Sequence, residues 1–508
     1  EERPELQSPA PSASRGERLA ANGAAGSRLR RMPRPRVRYY FDEHISIHAS
    51  MEASLLKPYI VRLTHELIRA YALNLPMGMC ACYQIWQPLT AQEAASFHTD
   101  SYLQFLQQLD FNGIDVVDDA PNFVLNPSVC FSESAWEYST IYAGASVAAA
   151  KDLASGKSDI AINWMGGQTH ARRDCASGFS YLNDVVLAIL TLLATYERVL
   201  FVNMDAWHPS GVEEAFFTTD RVLCFSIHQH GEGLFPGSGG QADVGKDAGQ
   251  FHTINLPVAE GFDDADAEEL LLPMLRAAAH RFQPHAIVCC AGAGVIAGDR
   301  LGGLNMTLDG HAAVLKVLMA LERPLLVLGA GGYSQFNAAR TYCNATAVLC
   351  GIKLPDSIPP HAFREDYLPD YKLAVPQTVM LNKNTPGSLH ATKAAVTRII
   401  SQMPSRTAVG TTPVATSHPG PLEGVSPLDS GVHAVKTEPV LTTALKPDMY
   451  GAAVGAETVK AEVICKPRTL DSAPNSDMMD VDNEVGHLTS GAVAGVTEPD
   501  RVGSAGEI

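Results

Sequence analysis

Few residue clusters in this sequence have the types and spacing to do chemistry on their own. A glycine-rich run, GAGVIAG at 292–298, follows an apolar strand-like segment and loosely matches a dinucleotide-phosphate cradle. Its spacing is GxGxxxG, it opens no helix, and no acidic residue ends a second strand at the required distance. The glycines are therefore assigned to a tight turn. Asp42, Glu43, His44 and His48 offer carboxylates and imidazoles for a metal, but their arrangement predicts a polar loop. Ten Cys occur with no C-x-x-C pair; Cys80 and Cys82 are one residue apart, and Cys289 and Cys290 are adjacent. That usage predicts reduced, buried thiols in an intracellular protein. Two segments, Val435-Lys436-Thr437-Glu438 and Val459-Lys460-Ala461-Glu462, share the apolar-Lys-x-Glu pattern to which small ubiquitin-like modifiers are attached. The pattern is short and recurs by chance, so modification of Lys436 or Lys460 stays open. Arg28–Arg36 (RLRRMPRPR) reads equally as a nuclear-localisation patch or as a solvated basic tail.

The elements that would position a site are clearer. Leu63, Leu67, Ile68 and Tyr71 fall at helical spacing after Lys57–Pro58. Short apolar runs then alternate with helical patterns. The runs are Ile160–Trp164, Val199–Met204, Leu223–Ile227, Ala286–Cys290 and Leu325–Leu328. The helical stretches are Tyr181–Tyr196, Ala265–Phe282, Gly310–Leu321 and Asn337–Leu349. Fully apolar strands alternating with amphipathic helices predict an α/β fold, a mostly parallel sheet covered on both faces. Several runs end in glycine-rich loops (MGG, PSG, AGAG, GAGG), and in such folds the site lies beyond the carboxyl ends of the strands.

With 508 residues, the chain is longer than one core usually organises, so a large domain with added segments is expected. Residues 1–36 are rich in Pro, Ala, Ser, Gly and Arg without periodicity and predict a disordered basic arm. Residues 401–508 hold one Tyr and no Phe or Trp, too little apolar surface to offset the entropy of ordering, and predict a disordered tail. Between them lie a folded body over 37–375 and a domain-edge extension over 376–400. The net charge is −17. Nine Arg against four Glu over residues 1–38, and seven basic against fourteen acidic side chains over 401–508, leave most of that acidity on the body. This argues against direct nucleic-acid binding, which needs a basic surface, and against a polybasic membrane surface. The longest apolar run, Val185 to Tyr196, is about half a membrane span and is closed by Glu197 and Arg198. No signal-peptide core appears near the start, so a soluble intracellular protein is expected.

Longer segments carry a family resemblance. They are Ser158–Gly167 (SDIAINWMGG), ASGFSYLNDVVLAI at 176–189, GVEEAFFTTDRV at 211–222, LFPGSGG at 234–240, GDRLGGLNMT at 298–307 and LGAGGYSQFNAAR at 328–340. Together they closely resemble class I-type histone deacetylases, which implies the three-layer arginase–deacetylase fold. The resemblance runs from about Val37 to Leu373, with an apparent insertion near Val124–Tyr138. It implies zinc held by Asp, His and Asp at the base of a narrow tunnel, polarising an acetyl-lysine carbonyl and activating water. It further implies two tandem His, each paired with an Asp, for proton transfer, and a Tyr that donates to the developing oxyanion.

On this resemblance the tunnel is kept and the reaction centre is not. Gly178, Phe179 and Phe235 match the wall, Leu301 the rim, Tyr333 the oxyanion donor and Asp119 the rim carboxylate that binds substrate backbone. In FVNMDAWHPSG (201–211), Asp205 matches the first metal ligand, but the His ligand is Trp207. The third ligand is Gly294. His208 is one residue out of register and is not expected to substitute. In GGQTHARR (166–173) the first tandem His is Thr169 and only His170 remains; their Asp partners are Asn203 and Ser210. Only Asp205, His170 and Tyr333 keep the family residue. A zinc site draws ~10 kcal/mol from several ligands acting together, which one carboxylate cannot supply. His170 alone would offer about 10²–10⁴-fold as a general base, far short of what amide hydrolysis requires. The expectation is a catalytically inactive deacetylase-family protein, a scaffold or partner subunit in a chromatin-associated deacetylase or corepressor complex, which could still hold an acylated lysine. The alternative is an active lysine deacetylase with an atypical metal site. The first reading expects no cofactor and the second expects zinc; either leaves room for a structural monovalent cation. Expected partners are other deacetylase or corepressor subunits and histone tails, in the nucleus or in nucleus and cytoplasm. Lys57, Arg62, Arg300 and Arg340 match the family's basic groove for anion and corepressor, where Phe336 replaces a further Arg and Ser54 a His, so inositol phosphate binding is doubtful.

Overall fold

A computed structural model describes residues 34–45, 58–81, 86–112, 123 and 134–404. Lys57, Asp119, Lys436 and Lys460, most of the basic arm and the tail from 405 lie outside the described residues. Eight strands form one sheet: β1 (Val37–Phe41), β2 (Gly78–Ala81), β3 (Ile160–Asn163), β4 (Val199–Met204), β5 (Val222–Gln229), β6 (Thr253–Val258), β7 (Ala286–Ala291) and β8 (Leu325–Leu328). Their order is β2-β1-β3-β8-β7-β4-β5-β6, and every pairing is parallel. The fold is the arginase–deacetylase α/β fold expected from the resemblance.

Strand residues divide between two apolar cores with a period of two, as pleated strands covered on both faces require. Leu200, Val202 and Met204 of β4, Ile287 and Cys289 of β7 and Leu223, Phe225 and Ile227 of β5 enter one core. Val199 and Phe201, Val288 and Cys290, and Val222 and Cys224 enter the other. The first core is closed by α1 (Pro58–Ala70), α6 (Leu272–Phe282), α7 (Leu308–Met319), α8 (Gln335–Leu349) and α9 (Pro386–Gln402). The second is closed by α2 (Asp100–Asn112), α3 (Ala135–Ala154), α4 (Asp184–Leu193) and α5 (Ser210–Phe216).

Several described elements go beyond the sequence reading, among them β1, β2, β6, α2, α3 and α5. Helix α3 is buried nearly all round, so it shows no amphipathic stripe. Its Gly144 lies so close to Gln87 and Leu89 that a Cβ would press into their backbone. Helix α9, in the segment expected only as an edge extension, is capped by the Thr385 hydroxyl, which accepts from Ser388 N at 3.1 Å. It buries Leu389, Val396, Ile399 and Ile400. Among the described residues no helix is long and apolar enough to cross a membrane.

Candidate functional site

The loops leaving the carboxyl ends of β3, β8 and β4, all central strands, converge on one small cavity. Its lining includes Gln168, Thr169 and His170 after β3, Asp205 and Trp207 after β4, and Gly331, Gly332 and Tyr333 after β8. Gly178, Phe179 and Ser180 add a further wall. Asp184, the first residue of α4, pins the β3 loop: its carboxylate accepts from Gly167 N (2.9 Å), Gln168 N (2.7 Å) and Ser146 Oγ (2.5 Å). Asp299 pins the β8 loop by accepting from Tyr333 N (2.6 Å) and Ser334 N (3.0 Å), and the rim by accepting from Gly302 N (2.8 Å). Burial raises the Asp299 pKa while these N–H donors oppose the rise.

At the mouth, Gly178 and Phe179 have φ of 51° and 66°, a left-handed turn that glycine adopts without strain. A Cβ on Gly178 would enter the Phe235 ring, so this glycine lets the two walls approach. Phe235 lies edge-on to His170, with ring centroids 5.0 Å apart, and Phe179 is 6.3 Å from Tyr333. Leu301 and Leu234 are exposed. Burial, with the charges of Asp205 and Asp299, raises the Tyr333 pKa and keeps its phenol protonated.

Deeper in, the expected metal position holds an indole. Trp207 stands edge-on to Tyr333, with ring centroids 5.0 Å apart at 87°. A Cβ at Gly294 would overlap both Trp207 Cζ3 and Asp205 Oδ1, and one at Gly331 would overlap Trp207 Cζ3. A Cβ at Gly292 would overlap the Asp205 carboxylate. Three glycines therefore make room for one indole and one carboxylate. The carboxylate is already engaged: Oδ1 accepts from Ala206 N (2.7 Å) and Oδ2 from Gly331 N (2.5 Å). His208 does not replace the missing ligand. Its Nε2 pairs with Glu213 Oε2 (2.9 Å) and its Nδ1 with Ser238 Oγ (2.9 Å), within a buried polar network. Among the described residues no group of three His, Cys, Asp or Glu could hold a metal ion. The residues present do not fit the zinc that the resemblance implies.

Of the two positions expected to pair with the tandem His, Asn203 has other partners and Ser210 keeps a long contact to His170. Asn203 Nδ2 donates to Trp207 O (3.0 Å), Ser226 Oγ (3.2 Å) and Ile227 O (3.3 Å). A neutral amide nitrogen thus sits among three oxygens of the kind that would surround a monovalent cation. Ser210 Oγ lies 3.5 Å from His170 Nδ1, at the outer limit of a hydrogen bond. Thr169 accepts through its carbonyl from Gly211 N (3.0 Å).

The basic residues fare unequally. Arg340 donates to Lys372 O (2.9 Å) and Asn337 Oδ1 (3.1 Å) and covers the Tyr367 ring at 4.8 Å. Arg62 lies over Phe363 at 5.3 Å, and Arg300 is exposed. Phe336 packs against Tyr367 at 5.5 Å. His44 pairs with Asp42 at 3.0 Å within the loop expected there; His48 lies outside the described residues. Sequence reasoning singled out none of Gln168, Ser180, Asp184 and Asp299. A polar Gln directly after the MGG turn was the one visible signal.

Comparison with known proteins agrees with this architecture. Residues 59–349 match the family model "Histone deacetylase domain". The chain is 38% identical over 352 residues to Histone deacetylase RPD3 of Saccharomyces cerevisiae, covering 69% of this chain and 80% of that protein. It is 36% identical over 395 residues to Histone deacetylase 3 of Oryza sativa subsp. japonica, covering 77% and 76%. Against Histone deacetylase 1 of Homo sapiens it is 35% identical over 383 residues, covering 73% and 76%. The chain belongs to the histone deacetylase family, with class I relatives.

Proposed function

We propose that this chain is a non-catalytic member of the family, serving as scaffold or partner subunit in a chromatin-associated deacetylase or corepressor assembly in the nucleus. The observation that carries the proposal is the Trp207 indole packed against Gly294 and Gly331 beside Asp205. A single carboxylate, already accepting from two backbone N–H groups, has neither the charge nor the free lone pairs of a three-ligand zinc site. Without that metal, nothing described in the cavity would polarise an amide carbonyl strongly enough for hydrolysis. The retained wall, Gly178, Phe179 and Phe235, favours holding a slender side chain over cleaving it. The acidic body suits basic partners such as histone tails through long-range steering.

The test is to measure zinc in the purified full chain by elemental analysis and, on the same sample, turnover of an acetyl-lysine peptide. The expected result is zinc far below one per chain and no turnover above buffer. Stoichiometric zinc with turnover stopped by a hydroxamate would overturn the proposal. Co-purification of deacetylase-complex subunits from nuclear extract, identified by mass spectrometry, tests the partner half.

A further inference from the structure

Outside the cavity, three side chains stand in line. Glu213, in the first turn of α5, accepts at Oε2 from His208 Nε2 (2.9 Å) and from Asn255 Nδ2 (2.9 Å). A carboxylate only accepts, so the ring proton of His208 lies on Nε2 and Nδ1 keeps its lone pair. That lone pair accepts from the Ser238 hydroxyl, whose Oγ is 2.9 Å away. His208 and Glu213 are buried, at 1% and 7% exposure, whereas Ser238 is exposed. A hydroxyl at the surface, an imidazole behind it and a buried carboxylate behind that form the arrangement that activates a serine nucleophile, and it is recognised by geometry rather than by order in the chain.

The Ser238 hydroxyl is not needed to anchor its loop. His228 Nε2 donates to Gly239 O (2.9 Å), His230 Nδ1 to Ser238 O (3.3 Å) and Gly240 N to Asp243 Oδ2 (2.9 Å). The backbone itself presents the serine. Gly237 and Gly239 flank it, both left-handed with φ of 81° and 85°. A Cβ at Gly239 would overlap the His208 and His228 rings, so glycine is what lets the turn close over the imidazole.

Magnitude decides what such a serine can attack. A general base brings about 10²–10⁴-fold, which is useful against an acyl thioester, whose thiolate leaves readily, and far too little for an amide. We infer that Ser238 is a nucleophile that accepts an acyl group from a thioester. The bond from Ser238 Oγ to the acyl carbon forms as the carbon–sulfur bond breaks. The hydroxyl proton passes to His208 Nδ1 and from there to the departing thiolate, leaving an acyl-serine and a free thiol. No metal and no oxidant takes part, and the inference does not rest on the proposed function.

The experiment incubates the full chain with the acetyl thioester of N-acetylcysteamine in EDTA and follows acetylation by mass spectrometry, mapped to single residues after digestion. Ser238 should be acetylated about a hundredfold faster than Ser101, another exposed serine of the same molecule. His208→Gln should slow acetylation of Ser238 by about a hundredfold. Glu213→Gln, whose amide oxygen still accepts from His208 Nε2, should keep the packing and slow it by about tenfold, because the forming imidazolium loses its counter-charge. Ser238→Ala should remove the label at that site and leave the melting temperature unchanged. Acetylation of Ser238 no faster than that of Ser101, in the wild-type chain alone, would overturn the inference. So would an unchanged rate in a folded Glu213→Gln, or acetyl groups confined to lysine.

Discussion

At the scale of single residues, the centre of the site is a large-for-small exchange. An indole at 207 is compatible with the fold because 294 and 331 are glycines, and a side chain at 294 is incompatible with the fold because 207 is an indole. The two positions should therefore be energetically coupled. Gly294→Asp alone forces a carboxylate into Trp207 and against the Asp205 carboxylate, and should destabilise the protein by about 2–4 kcal/mol in urea unfolding. Trp207→His alone leaves a cavity and should also destabilise. Combined, the changes should cost less than their sum by about 1–3 kcal/mol, because the clash with the indole is gone while that with Asp205 stays. The double variant should also take up zinc that neither single variant holds. Strict additivity in the double-mutant cycle would show that the indole does not occupy the space assigned to it. The sequence revealed both replacements, Trp207 within FVNMDAWHPSG at 201–211 and Gly294 within GAGVIAG at 292–298. It did not reveal that they compensate each other, because that is a contact between loops after two different strands.

At the scale of elements, the strands that were legible are central ones, buried on both faces and written as predominantly apolar runs. The edges were not legible. Strand β6 (TINLPV) carries Asn255 and Pro257, and a proline is tolerated there because β6 is the last strand of the sheet. Strand β2 (GMCA) is four residues long and lies at the opposite edge. The Asn203 contact was equally invisible, since it joins the end of β4 to its neighbour β5 through Ser226 and Ile227. That junction makes a prediction. Asn203→Asp would replace a donor by a carboxylate facing three oxygens, a cluster stable only with a cation at its centre. The variant should lose several kcal/mol of stability in tetramethylammonium buffer. It should recover most of that loss with added potassium or sodium, whereas wild-type melting should not depend on which cation is present. A variant insensitive to the cation would mean that these oxygens do not converge on residue 203.

At the scale of the whole molecule, four histidines are buried in positions that need the neutral ring. The His98 Nε2 accepts from Asn183 N at 3.0 Å, so a second ring proton has no place there. Burial lowers the pKa of His65, His98 and His311 to about 4, and lowers that of His228 as well. Unfolding returns each ring to an ordinary value near 6.5, so between pH ~6.5 and ~4 the unfolded chain binds more protons than the folded one. Stability from these rings is therefore full above pH ~6.5 and falls as the pH drops through that window. The slope approaches about 1.4 kcal/mol per pH unit for each ring. Asp266 and Asp299, whose pKa values are raised by burial, oppose this only nearer the carboxylate range. Between pH 7 and 5.5 the expected loss is on the order of 4 kcal/mol, a large share of the ~5–15 kcal/mol typical of a folded domain. Urea midpoints should fall steeply over that interval, and His311→Gln should make the fall shallower by one ring's worth. A midpoint unchanged from pH 7 to 5.5 would show that these imidazoles are already protonated or solvated in the folded protein. In that case the tight covering of the sheet on both faces, from which their burial follows, would be wrong at those positions.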